Sequence, residues 1–271
     1  MHPILLQLGS YGLRSYVFCI ALGGAVAVIL LWRLNRRLAA QRPDDFWLLI
    51  NVICASGFLG ARGLFLLAYA APSTVRPGWG SLLFSNREGL STFGAIFGVM
   101  VGGGAFCRLR RLPVLATLDR VALVLPVVHA IARVGCLLNG CCFGRPVGRP
   151  AFWALRFADS RSGVPPFLLN VPLYPTQLCE IAGDLATAVL LGWLWRRQRA
   201  HPGIPGSLLA SYIICYGGLR YFLDPYRADF HLRPPLALSL DQALGGGSAL
   251  AALGLLLAGL LLRSRPVLPS T

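Results

Sequence analysis

The sequence predicts an all-α fold, a polytopic membrane protein with about seven transmembrane helices that form one domain over residues 1–271. Hydrophobic residues make up 56% of the chain and charged residues only 13%. The apolar residues form seven stretches of roughly 20 residues, the length that spans the hydrocarbon core of a bilayer. These stretches lie at residues 15–32, 46–70, 90–107, 115–138, 173–195, 207–224 and 239–262.

Local signals indicate how several of these helices begin and end. The start of the chain, Met1-His-Pro-Ile-Leu-Leu, has no basic n-region and no small-residue cleavage site, so we do not expect a removable signal peptide. Small residues at Gly57 and Gly60 would let the second helix approach a neighbour closely. The fourth helix should end near Gly140. The sixth should end before Pro225, because the residue preceding a proline resists the α conformation.

The distribution of arginine predicts the orientation of the helices. Arginines follow the first, third, fifth and seventh stretches, and an excess of positive charge marks cytoplasmic loops. We therefore expect the N-terminus outside the cell and the C-terminus in the cytoplasm. The long connection at about residues 139–172 then lies outside, and its prolines and aromatic residues predict that it folds over the outer face. The arginines on the cytoplasmic side are Arg33, Arg36, Arg37, Arg42, Arg108, Arg110, Arg111, Arg196, Arg197, Arg199, Arg263 and Arg265.

The net charge of +15 indicates an anionic membrane surface as a partner. All 25 basic residues are arginine. They are dispersed between apolar stretches and form no basic stripe on a soluble domain, which argues against nucleic acid as a partner.

The eight cysteines do not predict a metal centre. Five of them lie inside apolar stretches, where cysteine behaves as a small hydrophobic residue. Cys136, Cys141 and Cys142 lie together near the end of the fourth stretch, but no second cysteine or histidine pair stands at metal-ligand spacing. We expect no metal and no other cofactor, although Cys141 or Cys142 could be oxidised outside the membrane.

Several charged residues lie inside the apolar stretches. An arginine in a membrane span costs about 2.5–3.5 kcal/mol on insertion scales, so it usually faces a polar cavity or a bound anion. The spacing of the polar residues places them on shared helix faces. The groups are His129 with Arg133 on the fourth stretch, Gln177 with Glu180 and Asp184 on the fifth, Tyr216 with Arg220 and Asp224 on the sixth, and Arg62 on the second.

These charges have two explanations. In the first, Arg62, Arg133 and Arg220 pair with Glu180, Asp184 and Asp224 as a structural ion network. In the second, Arg133 and Arg220 hold the phosphate of a lipid headgroup while Glu180 and Asp224 orient the two guanidinium groups. The residues alone leave both explanations open.

Four blocks of this sequence resemble the prolipoprotein diacylglyceryl transferases. The most specific block reads Arg133-Val-Gly-Cys-Leu-Leu-Asn-Gly-Cys-Cys-Phe-Gly-Arg145 and resembles the family signature. The blocks are residues 57–62, 89–98, 132–146 with 174–180, and 216–224 with Arg227. The resemblance implies a bacterial inner-membrane enzyme that transfers diacylglyceryl from phosphatidylglycerol to the lipobox cysteine of preprolipoproteins.

The resemblance also implies roles for individual residues. Arg133 matches the arginine that holds the phosphatidylglycerol headgroup, and Arg220 matches a second essential arginine. The remaining substrate-binding candidates are Tyr16, Arg62, Asn139, Gly144, Glu180, Asp224 and Arg227. The chain departs from the family pattern at five positions, which are Val17, Phe93, Cys136, Tyr174 and Asp224.

The departure at Phe93 affects the expected chemistry, because many family members have a histidine there that is proposed as the base for the thiol. We hypothesise that His129, one helical turn from Arg133, takes this role. Two other classes of function stay open: a non-catalytic family member that binds an anionic lipid, and a transporter of a small anion. The lack of pseudo-repeated halves argues against the transporter.

Overall fold

The computed structural model describes residues 2–8, 11–69, 90–149, 151–201, 203–228 and 238–264, and most of them are helical. Six helices are long and apolar enough to cross a membrane. This confirms the all-α, polytopic membrane class. The helices of the described residues are α1 (Ser15–Leu34), α2 (Arg36–Gln41), α3 (Pro43–Tyr69), α4 (Thr92–Leu109), α5 (Val114–Asn139), α6 (Thr176–Ala200), α7 (Ser207–Leu223) and α8 (Leu240–Ser264).

The predicted span at residues 207–224 is the helix α7, which has 17 residues. It is shorter than the roughly 20 residues of a typical spanning helix and is not one of the six. The count of seven spans therefore stays a prediction. As expected, α7 ends before Pro225, and a short 3-10 helix, Asp224–Tyr226, follows it.

A small β-hairpin precedes α1, which the sequence did not predict. The strands β1 (Ile4–Leu8) and β2 (Tyr11–Arg14) pair antiparallel. The main-chain N–H of Ser15 donates to the Pro3 carbonyl oxygen at 3.0 Å, so the hairpin is tied to the first turn of α1.

The chain divides into two compact units, and the prediction of a single domain stays a prediction. The first unit comprises Met1–Leu31 with Val121–Thr271, and the second comprises Trp32–Arg120. In the second unit α3 and α4 pack closely, as the small residues of α3 predict. A Cβ atom on Gly60 would overlap the Gly94 carbonyl oxygen, and one on Gly57 would lie 3.0 Å from a Val99 methyl group.

One carboxylate joins two arginine-rich loops of the second unit. Arg42 Nε lies 2.6 Å from Asp45 Oδ2, and Arg110 Nε lies 3.3 Å from Asp45 Oδ1. The turns after α2 and α4 therefore meet at the same end of this unit.

In the first unit the connection between α5 and α6 is folded around a small apolar core of its own. Phe157, Val164 and Leu173 are buried there, and Leu155 packs against them. The turn at Gly140 starts the connection, since its φ of +75° is a conformation that favours glycine. The prediction that this connection folds over the outer face stays a prediction.

Candidate functional site

Three arginines converge on the carboxylate of Glu180, which is buried near the start of α6. Arg133 Nε of α5 lies 2.7 Å from Oε2. Arg220 Nη1 of α7 lies 2.8 Å from Oε1, and Arg227 Nη1 lies 3.2 Å from the same oxygen. The buried carboxylate thus joins α5, α6, α7 and the turn after α7, and it holds three positive charges close together.

Arg220 has additional acidic partners. Its Nη2 atom lies 3.4 Å from Asp224 Oδ1 and also pairs with Asp241 at the start of α8. The Ser239 hydroxyl donates a hydrogen bond to Asp224. Neither Asp241 nor Ser239 stands out in the sequence. An acidic residue in the first turn of a helix, such as Asp241, is common and explained by the helix dipole alone.

Arg133 is held differently from Arg220. Within the described part of the chain its one acidic partner is Glu180, reached through Nε, and its two terminal nitrogens donate to no described residue. Its side chain is 14% exposed, against 5% for Arg220. Because Glu180 is shared among three arginines, Arg133 keeps both positive charge and hydrogen-bond donors for another anion.

The ion network expected from the sequence is therefore present in part. Arg133 and Arg220 pair with Glu180 as predicted. Asp184 is buried one turn further along α6 and forms no ion pair within the described residues. The charges of Arg133 and Arg220 still act on its carboxyl group over a longer distance. Arg62 is buried on α3 in the second unit, and its role in this site stays a prediction.

His129 lies beside two tyrosines of α7. Its Nδ1 atom is 3.2 Å from the hydroxyl oxygen of the fully buried Tyr212, and its ring centroid is 5.1 Å from that of Tyr216. The rings of Tyr212 and Tyr216 stack at 5.9 Å. The hydrogen bond to Tyr212 orients the imidazole, and the proposed role of His129 as a base stays a prediction.

Three further predicted residues lie around the end of α5. Tyr16, in the first turn of α1, is close enough to Arg133 and Cys136 to interact electrostatically with both. The Asn139 side-chain oxygen is buried and accepts no hydrogen bond from a described residue. Gly144 is required by packing, because a Cβ atom there would overlap the main chain of Tyr174.

Arg145 forms a cationic and aromatic cluster in the same connection. Its guanidinium carbon lies 5.9 Å from the Tyr174 ring centroid and 5.7 Å from that of Tyr226. Trp153 contacts Tyr174, with centroids 5.5 Å apart. Sequence reasoning missed this cluster because its members come from separate turns. Tyr174 is thus a stacking partner for an arginine.

The sulfur atoms of the three clustered cysteines lie close together in the structure. The sulfur atoms of Cys136, Cys141 and Cys142 all lie within 4.8 Å of one another. The neighbouring thiols of Cys136 and Cys141 hold the pKa of Cys142 well below its ordinary value, and the charges of Arg133 and Arg227 act in the same direction. The sequence placed these cysteines near one another without showing that their sulfurs converge.

An exposed ion pair in the same connection differs from the buried site. The Arg161 guanidinium donates to Asp159 at 2.8 and 3.0 Å, and these hydrogen bonds lower the pKa of Asp159 to about 2. Such exposed pairs contribute little to stability. Substitutions in this exposed pair therefore serve as controls for substitutions of the buried arginines.

The fold and the buried cluster define a multi-pass membrane protein in which three arginines surround one buried carboxylate. The model of the prolipoprotein diacylglyceryl transferase family matches residues 3–261, and the chain belongs to this family.

Curated relatives match over most of their lengths. A protein of Thermosynechococcus vestitus is 32% identical over 250 residues, which cover 86% of this chain and 84% of the relative. A protein of Nostoc sp. is 31% identical over 279 aligned positions, covering 98% and 91%. A protein of Clostridium tetani is 29% identical over 230 residues, covering 84% and 86%. Each is named a phosphatidylglycerol–prolipoprotein diacylglyceryl transferase.

Proposed function

We infer that this chain is a membrane transferase that moves the diacylglyceryl group of phosphatidylglycerol to a cysteine thiol of a prolipoprotein. The family match over residues 3–261 supports this function, as do the names of curated relatives that cover more than four fifths of the chain. The match spans Phe93, so the departure there does not separate the chain from the family.

The finer assignments extend this proposal. The acceptor is the lipobox cysteine in the signal peptide of a preprolipoprotein. The protein lies in the bacterial cytoplasmic membrane with its N-terminus outside and its C-terminus in the cytoplasm. The arginine-rich loops support this orientation, because positive charge marks the cytoplasmic side.

The observation that carries the proposed mechanism is the convergence of Arg133, Arg220 and Arg227 on Glu180. The terminal nitrogens of Arg133 provide donors for the phosphate of phosphatidylglycerol, and the Glu180 carboxylate fixes the guanidinium through Nε. A preorganised, positively charged donor stabilises an anion without reorganisation during the reaction.

The reaction forms one carbon–sulfur bond and breaks one carbon–oxygen bond. The thiolate of the acceptor cysteine attacks the glyceryl carbon next to the phosphate, and glycerol phosphate leaves with the electron pair of the broken bond. Negative charge on the leaving phosphate grows as that bond breaks, so the arginines stabilise the transition state more than the ground state.

The thiol proton must be removed, because the ordinary pKa of a cysteine near 8.5 leaves mostly thiol at neutral pH. We assign this step to His129, which lies one helical turn from Arg133 and is oriented by Tyr212. The remaining candidates for substrate contact are Tyr16, Arg62, Asn139, Gly144, Asp224 and Arg227.

Complementation tests the proposal. The chain is expressed in bacteria depleted of their own diacylglyceryl transferase, and lipoprotein maturation is followed by mass spectrometry. We expect diacylglyceryl on the lipobox cysteine with the wild type and with the control Arg161→Ala, and none with Arg133→Ala. Well-inserted wild-type protein that gives no modification would contradict the transferase function.

A further inference from the structure

The cysteine cluster lies beside the arginines that hold the substrate in the proposed mechanism, and none of its thiols has a part in that mechanism. Cys136 lies in the last turn of α5, and Cys141 and Cys142 follow in the turn after it. Within the described residues, these three form the one group of three or more cysteine, histidine or acidic side chains whose ligand atoms lie close enough to share a metal ion.

The backbone around the cluster is held by side chains of α6. Gln177 Nε2 donates to the Cys141 carbonyl oxygen at 3.0 Å, and Thr176 Oγ1 donates to the Cys142 carbonyl oxygen at 3.1 Å. Cys142 has a φ of +57°, a left-handed conformation that is uncommon for a residue with a side chain. These contacts hold the turn in a shape that directs both thiols toward Cys136.

The spacing of the sulfurs suits a small, soft metal ion. Metal–sulfur bonds of about 2.3 Å place the sulfurs around one ion roughly 3.8–4.0 Å apart. The three sulfurs lie within 4.8 Å of one another, so small side-chain rotations bring them to this spacing. Hard cations such as Mg²⁺ and Ca²⁺ prefer oxygen ligands and do not fit.

The number of ligands distinguishes among the soft ions. Structural Zn²⁺ sites are almost always closed by four protein ligands, and the described residues offer three sulfurs and no fourth ligand in this group. Thiolates also select Cu(I), for which three sulfurs can complete the coordination. The positive charges of Arg133 and Arg227 act on Cys142 and would offset the negative charge of a three-thiolate complex.

We propose that Cys136, Cys141 and Cys142 form a three-thiolate site that binds one Cu(I) ion. This goes beyond the transferase function and departs from the expectation of no metal site. That expectation rested on the spacing of the cysteines along the chain, whereas the structure brings all three sulfurs together.

Anaerobic Cu(I) titration of the full chain, purified in detergent with a non-thiol reductant, tests the proposal. Copper per protein is measured against a competing Cu(I) chelator, and X-ray absorption reports the ligands. We expect one tightly held ion per chain with three sulfur neighbours at about 2.3 Å. Cys136→Ser and Cys141→Ser should each lower the affinity at least tenfold, while Cys54→Ser, at an exposed cysteine of α3, should bind as the wild type does.

Two results would overturn the proposal. One is equal copper uptake by the wild type and by folded Cys136→Ser and Cys141→Ser, with folding checked by thermal melting. The other is absence of tight copper binding by folded wild-type protein whose mass is that of the fully reduced chain.

Discussion

Arg133 Nε of α5 and Glu180 Oε2 of α6 form an ion pair of 2.7 Å, and this contact leaves the two terminal nitrogens of the arginine without a described protein partner. The same carboxylate also holds Arg220 and Arg227. Glu180 therefore has two effects: it balances part of the buried positive charge, and it fixes the direction in which Arg133 presents its free donors.

Replacing Arg133 with lysine should lower transferase activity by about 10²-fold, the effect of losing one preorganised donor to a developing anion. A lysine keeps the charge, but its single ammonium group cannot pair with Glu180 and also offer a planar fork to phosphate. The measurement is the initial rate of diacylglyceryl transfer in detergent. Arg161→Lys, in the exposed pair with Asp159, is the control and should keep its rate. Equal rates for the two variants would contradict the proposal that the terminal nitrogens of Arg133 bind the phosphate.

Replacing Glu180 with glutamine should destabilise the protein by roughly 3–5 kcal/mol, because three buried arginines would lose their shared counter-charge. Thermal melting in detergent measures this as a fall in Tm. Asp159→Asn removes a carboxylate from an exposed pair and should leave the Tm almost unchanged. A Tm for Glu180→Gln equal to that of the wild type would mean that Asp224 and Asp241 balance the cluster alone.

His129→Ala should reduce kcat by about 10²–10⁴-fold if the imidazole accepts the thiol proton. Tyr212→Phe removes the hydrogen bond to His129 and keeps the imidazole, so its loss should be much smaller. Both rates are compared at saturating phosphatidylglycerol. Full activity of His129→Ala beside an inactive Arg133→Ala would exclude His129 as the base.

Gly144→Ala should destabilise the first unit by about 1–3 kcal/mol, the usual cost of forcing an atom into a packed position. The added Cβ would overlap the main chain of Tyr174. Gly148→Ala is the matched control in the same connection, because a Cβ there meets nothing within 4 Å. The two variants are compared by Tm and by the amount of folded protein recovered in detergent. Equal values for both variants would show that the main chain around Gly144 can shift enough to accommodate a Cβ atom.

Much of the fold and part of the site could be predicted from local patterns. The apolar stretches predicted the six long helices, and Pro225 predicted the end of α7. The arginines inside these stretches identified Arg133 and Arg220 as members of a site, because a buried charge needs a partner. Asp241 was missed, since nothing in the sequence shows that the start of α8 lies next to Arg220.

The sequence by itself determined the membrane class, the family resemblance and the identity of the buried charges, because hydrophobic length and motif spacing are properties of neighbouring residues. Only the tertiary structure decided which charges meet. It placed Glu180 among three arginines, left Asp184 outside their ion pairs, and brought the sulfur of Cys136 to those of Cys141 and Cys142. Ion pairs and thiol clusters act over a few ångströms, and helix packing alone sets which distant residues come that close.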